Sequence, residues 1–387
     1  MTKKNKYIVF GTPCIGREEI NEMVKTLKSG WVGTGPKVAK FEEQVSRYVG
    51  AKYGLALNSC TAGLHLSLLV CGIGPGDEVI TTPLTFCATV NTIIHSGAKP
   101  VFVDVDKKTM NIDAAKIEKA ITKKTKAIMP VHLAGRPCEM DAIMKIAEKR
   151  KLYVIEDAAQ ALGSEYKGKK IGQIGDLTCF SFYVTKNVIT GEGGMVTTDN
   201  KAFADKIKVY ALHGMSKDAW KRYSDDGYKH YEVVYPGFKY NMTDMQASLG
   251  IHQLKKINDF DKKRQKIWDL YNDGFKDLPI ELPAPFGKDI HHNKHLFTLL
   301  IDKSKAGISR DEFMLELHRR GIGTGVHFIP VHLHKYYCER FGYKKGDYPN
   351  SEYIGERTVS LPLSAKLTEP EARRIIKTVR EIILKNN

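Results

Sequence analysis

The chain has 387 residues, of which 42% are hydrophobic and 27% charged, with a formal net charge of +16. At roughly 150 residues per domain this predicts two or three domains, and no apolar stretch approaches the ~20 residues that cross a bilayer, so neither a small single domain nor membrane insertion is expected. A basic balance attracts anions, but the lysines are scattered in short runs such as Lys149-Arg150-Lys151 and Lys262-Lys263-Arg264, which argues against a focused nucleic-acid surface.

In chain order, Met1-Thr2-Lys3-Lys4-Asn5-Lys6 is basic, and the apolar Tyr7-Ile8-Val9-Phe10 that follows is too short for a signal-peptide core. A cytoplasmic protein is therefore expected. Val38 to Tyr48 has helical spacing, and Thr61 to Cys71 reads as an apolar helix opened by the N-cap types Asn58-Ser59. Asp77–Thr82, Pro100–Val105, Ala127–Val131 and Leu152–Ile155 read as buried strands. The helices between the last three are Ile112–Thr122 and Met140–Arg150. Strands separated by helices of this length predict an α/β fold around a mainly parallel sheet. Beyond about residue 250 the pattern changes. A long charged helix is predicted over Gln253–Lys276, then a proline-rich break over Leu278–Pro285. A strand (Leu296–Ile301), a helix (Ser309–Arg320), a polar loop and a last helix (Glu369–Lys385) follow. The expected division is a large domain, 1–252, and a smaller C-terminal α+β domain, 253–387. The seven cysteines are scattered without a CxxC, which fits reduced thiols and neither a disulfide framework nor structural zinc.

Four segments carry the chemistry. Val154-Ile155-Glu156-Asp157-Ala158-Ala159-Gln160 puts Asp157 and Gln160 just past a buried strand, where open α/β sheets bind ligands. A helix cap is the competing reading of Asp157. Ser181-Phe182-Tyr183-Val184-Thr185-Lys186-Asn187 puts Lys186 between an apolar run and a glycine-rich turn. A lone lysine is usually a solvated surface residue; a desolvated one is a good Schiff-base nucleophile, because burial favours the neutral amine. Pyridoxal phosphate enzymes need such a lysine and an acidic partner for the ring nitrogen. Asn58-Ser59-Cys60-Thr61-Ala62-Gly63 offers a helix start to an anion, with a plain N-cap as the alternative. Thr82-Pro83-Leu84-Thr85-Phe86 offers an aromatic that either stacks on a flat ring or sits in the core. His327, His332 and His334 have the spacing Hx4HxH, but no fourth ligand accompanies them, so no metal is predicted. His291, His292 and His295 read as surface or interface residues.

In this order the four segments resemble the DegT/DnrJ/EryC1/StrS family of pyridoxal-phosphate-dependent nucleotide-sugar aminotransferases. The likeness runs from Ser29-Gly30-Trp31-Val32-Gly33-Thr34-Gly35-Pro36 through Gly237–Asp244 and Gly321–Phe328 to the last helix. Within the family it looks most like the enzymes that form UDP-4-amino-4-deoxy-L-arabinose. The resemblance implies an aspartate-aminotransferase-type (fold type I) architecture and a homodimer with shared active sites. It places the Schiff-base lysine at Lys186, the ring-nitrogen partner at Asp157 and a residue near the phenolic oxygen at Gln160. The stacking aromatic falls at Phe86, and phosphate ligands fall at Ser59, Cys60, Thr61 and Ser181, with Asn241 supplied by the neighbouring subunit. Trp31, Tyr183, His213, His327 and Tyr337 fall at positions near the nucleotide-sugar. L-Glutamate is the donor the resemblance implies. Tyr183 stands where the arabinose-pathway enzymes have His and where relatives acting on dTDP-sugars have Tyr, so both nucleotides stay open. The remaining alternatives are a pyridoxal-phosphate sugar dehydratase, which has His at the position of Lys186, a regulatory DNA-binding protein, and an amino-acid aminotransferase with Arg320 as its carboxylate-binding candidate.

Overall fold

A computed structural model describes residues 6–216 and 231–386; the basic start Met1–Asn5 lies outside the described residues. The first part holds α1 (Arg17–Ser29), α2 (Pro36–Val49), β1 (Tyr53–Leu57), α3 (Cys60–Val70), β2 (Glu78–Thr81), α4 (Cys87–His95) and β3 (Lys99–Phe102). Next come α5 (Ala114–Ala120), β4 (Thr125–Ile128), α6 (Met140–Arg150) and β5 (Tyr153–Asp157). The small hairpin β6 (Glu165–Tyr166) and β7 (Lys169–Lys170) leads to β8 (Leu177–Ser181), β9 (Gly194–Thr198) and α7 (Lys201–Ala211). The last part holds α8 (Asp244–Lys255), α9 (Ile257–Phe275), β10 (Ile290–His291), β11 (Phe297–Leu300), α10 (Lys303–Ala306) and α11 (Arg310–Arg319). It ends with α12 (Lys335–Phe341), α13 (Pro349–Arg357), β12 (Thr358–Leu361) and α14 (Glu369–Asn386).

Seven strands form the central sheet in the order β1-β9-β8-β5-β4-β2-β3. β9 is antiparallel to both its neighbours, and the other neighbouring pairs are parallel. The carboxyl ends of β1, β2, β4, β5 and β8 therefore share one edge, and that edge holds the site. Strands covered on both faces read as continuous apolar runs, which is why β2, β4 and β5 were recognisable. α3 is apolar all round, with Leu64, Leu66 and Leu68 almost fully buried, as a helix inside the molecule must be. It approaches β8 and β9 closely at Gly63, where an added Cβ would lie 3.0 Å from Val196.

A second core gathers Trp268, Tyr271, Phe275, Phe297, Phe313 and the inner face of α14 around the two-stranded sheet β11-β12. Ile8 belongs to it: its N–H donates to Gly321 O (2.8 Å) and its carbonyl accepts from Gly323 N–H (2.8 Å). The expected boundary at 252/253 falls inside α8, whereas the change of core falls within α9, between Ile257 and Ile267.

The single helix expected over Gln253–Lys276 is two helices. Lys256 is a single turn residue between them (φ −97°, ψ 0°), and its Nζ binds Glu18 and Glu19 at 2.8 and 2.9 Å. The break lets α8 pack on α1 and α2 while α9 turns to pack on α14. The polar loop expected after residue 320 contains α12, α13 and β12, and β12 pairs antiparallel with β11. Its four residues, Thr358-Val359-Ser360-Leu361, are too few to declare a period.

Candidate active site

A pocket of about 490 Å³ opens at the carboxyl edge of the sheet. Asp157, the last residue of β5, forms its floor with both carboxylate oxygens fixed. Thr89 Oγ1 donates to Oδ2 (2.7 Å), Ala159 N–H donates to Oδ1 (3.1 Å), and Thr85 lies 2.7 Å from Thr89 hydroxyl to hydroxyl. Burial pushes the Asp157 carboxyl above its ordinary value, against the pull of those hydrogen bonds and of the Lys186 charge. A cation on the pocket side would stabilise the carboxylate.

Lys186 stands in the loop after β8, lining the same pocket. Its backbone N–H closes a turn onto Tyr183 O (2.8 Å). Burial lowers the pKa of its amine, although Cys60 and Asp157 act in the opposite direction. Next to it Asn187 is buried; its amide donates to Asn293 O (3.1 Å) and its oxygen lies 3.0 Å from His295 Nδ1.

Ser59 caps α3: its Oγ accepts from Ala62 N–H (3.1 Å), and its carbonyl accepts from Gly63 N–H (3.2 Å). The N–H groups of Cys60 and Thr61 remain in the first turn to face the pocket, with the positive end of the helix dipole behind them. Cys60 takes part through its backbone alone, because its thiol is buried and donates to Cys179 O (3.4 Å). Gly194 on β9 makes this turn possible; a Cβ there would lie 2.2 Å from the Ser59 carbonyl carbon. Ser181, at the end of β8, lines the pocket nearby.

Gln160 also lines the pocket. Its Oε1 accepts from Ala134 N–H (2.6 Å), leaving the amide nitrogen as its other polar atom. The Ala134 turn is held from below by His132, whose Nε2 donates to Glu156 Oε2 (2.8 Å) and whose Nδ1 accepts from Cys138 N–H (3.0 Å). Glu156 is further held by Gly175 N–H (2.8 Å) and Thr178 Oγ1 (2.7 Å). Phe86, 59% exposed, and Tyr183, 44% exposed, stand at the rim with His327. His327 stacks on Phe10 (5.5 Å between centroids), and its Nδ1 lies 2.8 Å from Ser360 Oγ. Burial and the Lys186 charge lower its pKa to about 4.

The pocket thus gathers Ser59, Cys60, Thr61, Phe86, Asp157, Gln160, Ser181, Tyr183, Lys186 and His327 from the expected set. It does not gather Trp31, His213, Asn241 or Tyr337 from the same chain. Trp31 is exposed and donates through Nε1 to Thr34 O (3.1 Å). His213 is exposed in a left-handed conformation (φ 56°). Asn241 donates to Thr34 Oγ1 (2.6 Å), and its Oδ1 is buried with no partner among the described residues. Tyr337 packs with Val90, Phe102 and Val331 at 4% exposure and donates to Asn91, which corrects the expectation that it faces the sugar. Arg320 pairs with Glu381 (3.0 Å) and Glu316 (3.7 Å), away from the pocket.

The clustered histidines also diverge from expectation. His292 and His295 are buried, not superficial, and His295 lines the pocket. His332 is buried against Glu352 (2.9 Å) while His327 faces the pocket, so two of the three residues of the Hx4HxH pattern have separate partners. Sequence reasoning missed Thr89, Phe10, His132 and His295. Thr89 had a local signal, as a hydroxyl in the first turn of a helix that begins right after Phe86.

A lysine, a fixed carboxylate and an anion-binding turn around one cavity form the donor set that pyridoxal phosphate requires. The model of the DegT/DnrJ/EryC1/StrS aminotransferase family matches residues 13–380. The chain belongs to this family. It is 52% identical over 383 residues to the spore coat polysaccharide biosynthesis protein SpsC of Bacillus subtilis, covering 98% of each chain. Spr1654 of Streptococcus pneumoniae, assigned as a sugar aminotransferase and solved in a PMP form, is 36% identical with TM-score 0.91, covering 98% of each chain. Its PLP form gives 35% and 0.91, covering 98% of this chain and all of that one. Helicobacter pylori PseC, an aminotransferase of pseudoaminic acid biosynthesis, gives 30% and 0.91, covering 98% of this chain and 100% of its own. The chain is accordingly a sugar aminotransferase of the fold type I kind, and pyridoxal phosphate is its cofactor.

Proposed function

We propose that this enzyme moves the amino group of L-glutamate onto the keto carbon of a UDP-linked 4-keto sugar, for the making of cell-surface polysaccharide. The observation that carries the reading is Lys186 and Asp157 facing one pocket, with an anion-binding turn on one side and an open rim above.

Lys186 would hold the cofactor covalently, and burial shifts its amine toward the neutral, nucleophilic form. Asp157, oriented by Thr89 and Ala159, would face the ring nitrogen, whose positive charge would favour the carboxylate form against burial. The Cys60 and Thr61 N–H groups bind the phosphate, with the hydroxyls of Ser59, Thr61 and Ser181. Phe86 would cover the ring, and the Gln160 amide would be available to the phenolic oxygen. Bound pyridoxal phosphate supplies an electron sink for the pair left when the donor's Cα–H bond breaks. With the cofactor bound, the Lys186 amine would be placed to take the donor's α-proton and later to deliver a proton to the sugar carbon that receives nitrogen; one water would be consumed in freeing the keto acid and one, carrying the sugar's keto oxygen, would be released. Tyr183 and His327 line the path by which the sugar arrives.

The active unit in this reading is a homodimer. Ile20, Val24 and Leu27 leave an apolar stripe exposed on α1, and Trp31 and Val32 continue it. Asn241, with its unpartnered oxygen outside its own pocket, is then positioned to serve the partner's phosphate.

The test is mass spectrometry of products from UDP- and dTDP-linked 4-keto sugars incubated with enzyme and 15N-glutamate. A UDP-linked 15N-amino sugar is expected. Amination of the dTDP-sugar alone would transfer the reading to that nucleotide, and a deoxygenated product without nitrogen would replace it with dehydration.

A further inference from the structure

His295 and two asparagines form a buried polar hub between the Lys186 loop and the Gln160 segment. Asn293 donates through Nδ2 to Gln160 O and Leu162 O (2.9 Å each), so its Oδ1 faces the other way and accepts from His295 N–H (3.1 Å). Asn187, next to Lys186 in the chain, donates through Nδ2 to Asn293 O (3.1 Å). A carbonyl only accepts, so the other end of the Asn187 amide is its oxygen, and that oxygen lies 3.0 Å from His295 Nδ1. His295 Nδ1 therefore carries a proton and donates it to Asn187. Burial, then the charges of Lys186, Arg264, His327 and His292, push the His295 pKa well below its ordinary value, so the ring is neutral and Nε2 holds a lone pair.

The fold gives that lone pair nothing to accept. Nε2 has no hydrogen-bond partner among the described residues, yet it is not one of the unpartnered side-chain atoms sealed from solvent. His295 lines the active-site pocket and Asn187 does not. The ring thus turns its proton to the protein and its lone pair to the cavity. Two other buried acceptors of the pocket differ from it: Asp157 already accepts from Thr89 and Ala159, and Gln160 Oε1 from Ala134. Lys186, on the same pocket wall as Asn187's loop, is the charge that acts most on His295. The other groups acting on or from Lys186 are Cys60, Asp157 and His327.

We propose that His295 is a positioning residue of the transamination: its Nε2 accepts a hydrogen bond from the Lys186 amine whenever that amine is free, and so holds it in place for proton transfer. The inference rests on the proposed role of Lys186. A carboxylate in this place would fix Lys186 as an ammonium, unable to take a proton. A neutral acceptor orients the amine and leaves it basic. The two nitrogens of one ring then have separate tasks, Nδ1–H in the hub and Nε2 in the pocket.

Two substitutions separate these tasks. His295→Asn keeps a donor for Asn187 and removes the pocket acceptor; His295→Gln keeps an acceptor near the place of Nε2 and gives up the donor. The readout is the pH profile of the single-turnover rate of holoenzyme with glutamate. His295→Asn is expected to lower the plateau about ten- to thirtyfold. It should also move the acid limb down by about half a unit to one unit, because a neutral acceptor favours the ammonium and its loss favours the amine. His295→Gln is expected to stay within about threefold of wild type with its limb unmoved. The reverse order, equal losses in both variants, or no loss in either would make His295 a structural residue alone and overturn the proposal. Should His295→Asn not fold, nitrogen NMR of 15N-histidine-labelled enzyme in the pyridoxamine-phosphate form decides, with the His295 signals identified by their loss in His295→Gln. The Nε2 signal is expected to move in Lys186→Ala toward that of an imidazole nitrogen with no donor; an unchanged signal would sink the idea. Borohydride reduction of the pyridoxal-phosphate form keeps the two readings apart. Cofactor trapped on Lys186, with no effect of His295→Asn, defeats this inference alone, whereas no trapping at Lys186 defeats the reading beneath it.

Discussion

The floor and the rim of the pocket are built in contrasting ways. At the floor, Asp157 ends a buried strand and has both oxygens fixed, and the turn below Gln160 rests on the buried His132–Glu156 pair. At the rim, Tyr183 stands 44% exposed on a loop, and Trp31 is a further exposed aromatic beyond the pocket. A rigid floor suits the part of the reaction that every sugar aminotransferase performs with the same cofactor. A loop-borne rim suits the part that differs between sugars, since loops vary without disturbing the sheet.

If that division is correct, substitutions at the floor should stop turnover for every substrate, and those at the rim should redistribute it. Lys186→Ala should lower turnover by on the order of 10⁴-fold, because it removes both the covalent attachment and the base. Its purified form should still bind some cofactor through the α3 turn. Near-normal turnover in that variant would end the assignment. Asp157→Asn should cost about 10²- to 10³-fold in the single-turnover rate with glutamate and by a similar factor with every keto sugar. Thr89→Val, which frees one Asp157 oxygen, should cost about tenfold, equivalent to one hydrogen bond to a charged group. Tyr183→His should leave the glutamate rate within about threefold and alter the ratio of kcat/KM between UDP- and dTDP-sugars. A loss in the glutamate reaction as large as in the sugar reaction would blur the boundary between floor and rim.

The smallest effect concerns stability. His327 titrates near 4 in the folded protein, against 6.5 for a free histidine side chain, so the unfolded chain binds more protons between those values. Its contribution is complete above about pH 6.5 and is lost as pH falls through that window, by about 2 kcal/mol at pH 5. His327→Phe should flatten that part of the stability–pH curve of the apoprotein in chemical denaturation. An unchanged slope would place the acid sensitivity on another group.

The same contrast explains what the sequence revealed. That Asp157 and Lys186 line one pocket was legible because Asp157 directly follows a buried apolar run and Lys186 follows another within four residues. The Ser59 turn was legible because cap chemistry is local. Tyr337 was misread because its burial depends on Val90, Phe102 and Val331, which are distant in the chain. His295 was misplaced for the same reason, since its partner Asn187 is 108 residues away. The break at Lys256 was invisible because charged helical spacing continues across it. Lys256 Nζ there pairs with Glu18 and Glu19 of α1, residues far away in the chain. Gly194 shows the limit most plainly. Its need for glycine comes from the Ser59 backbone on another element, and Gly194→Ala should weaken cofactor binding although the residue has no side chain to bind it.

The most direct test of the central claim is the visible spectrum of the purified enzyme with pyridoxal phosphate, before and after L-glutamate. The account expects a coloured band attached to Lys186 that disappears on adding glutamate, with pyridoxamine phosphate and 2-oxoglutarate formed in equal amounts. A coloured protein that ignores glutamate would contradict the proposed donor. A protein that binds no cofactor, although Lys186 and Asp157 face one pocket, would contradict the site itself.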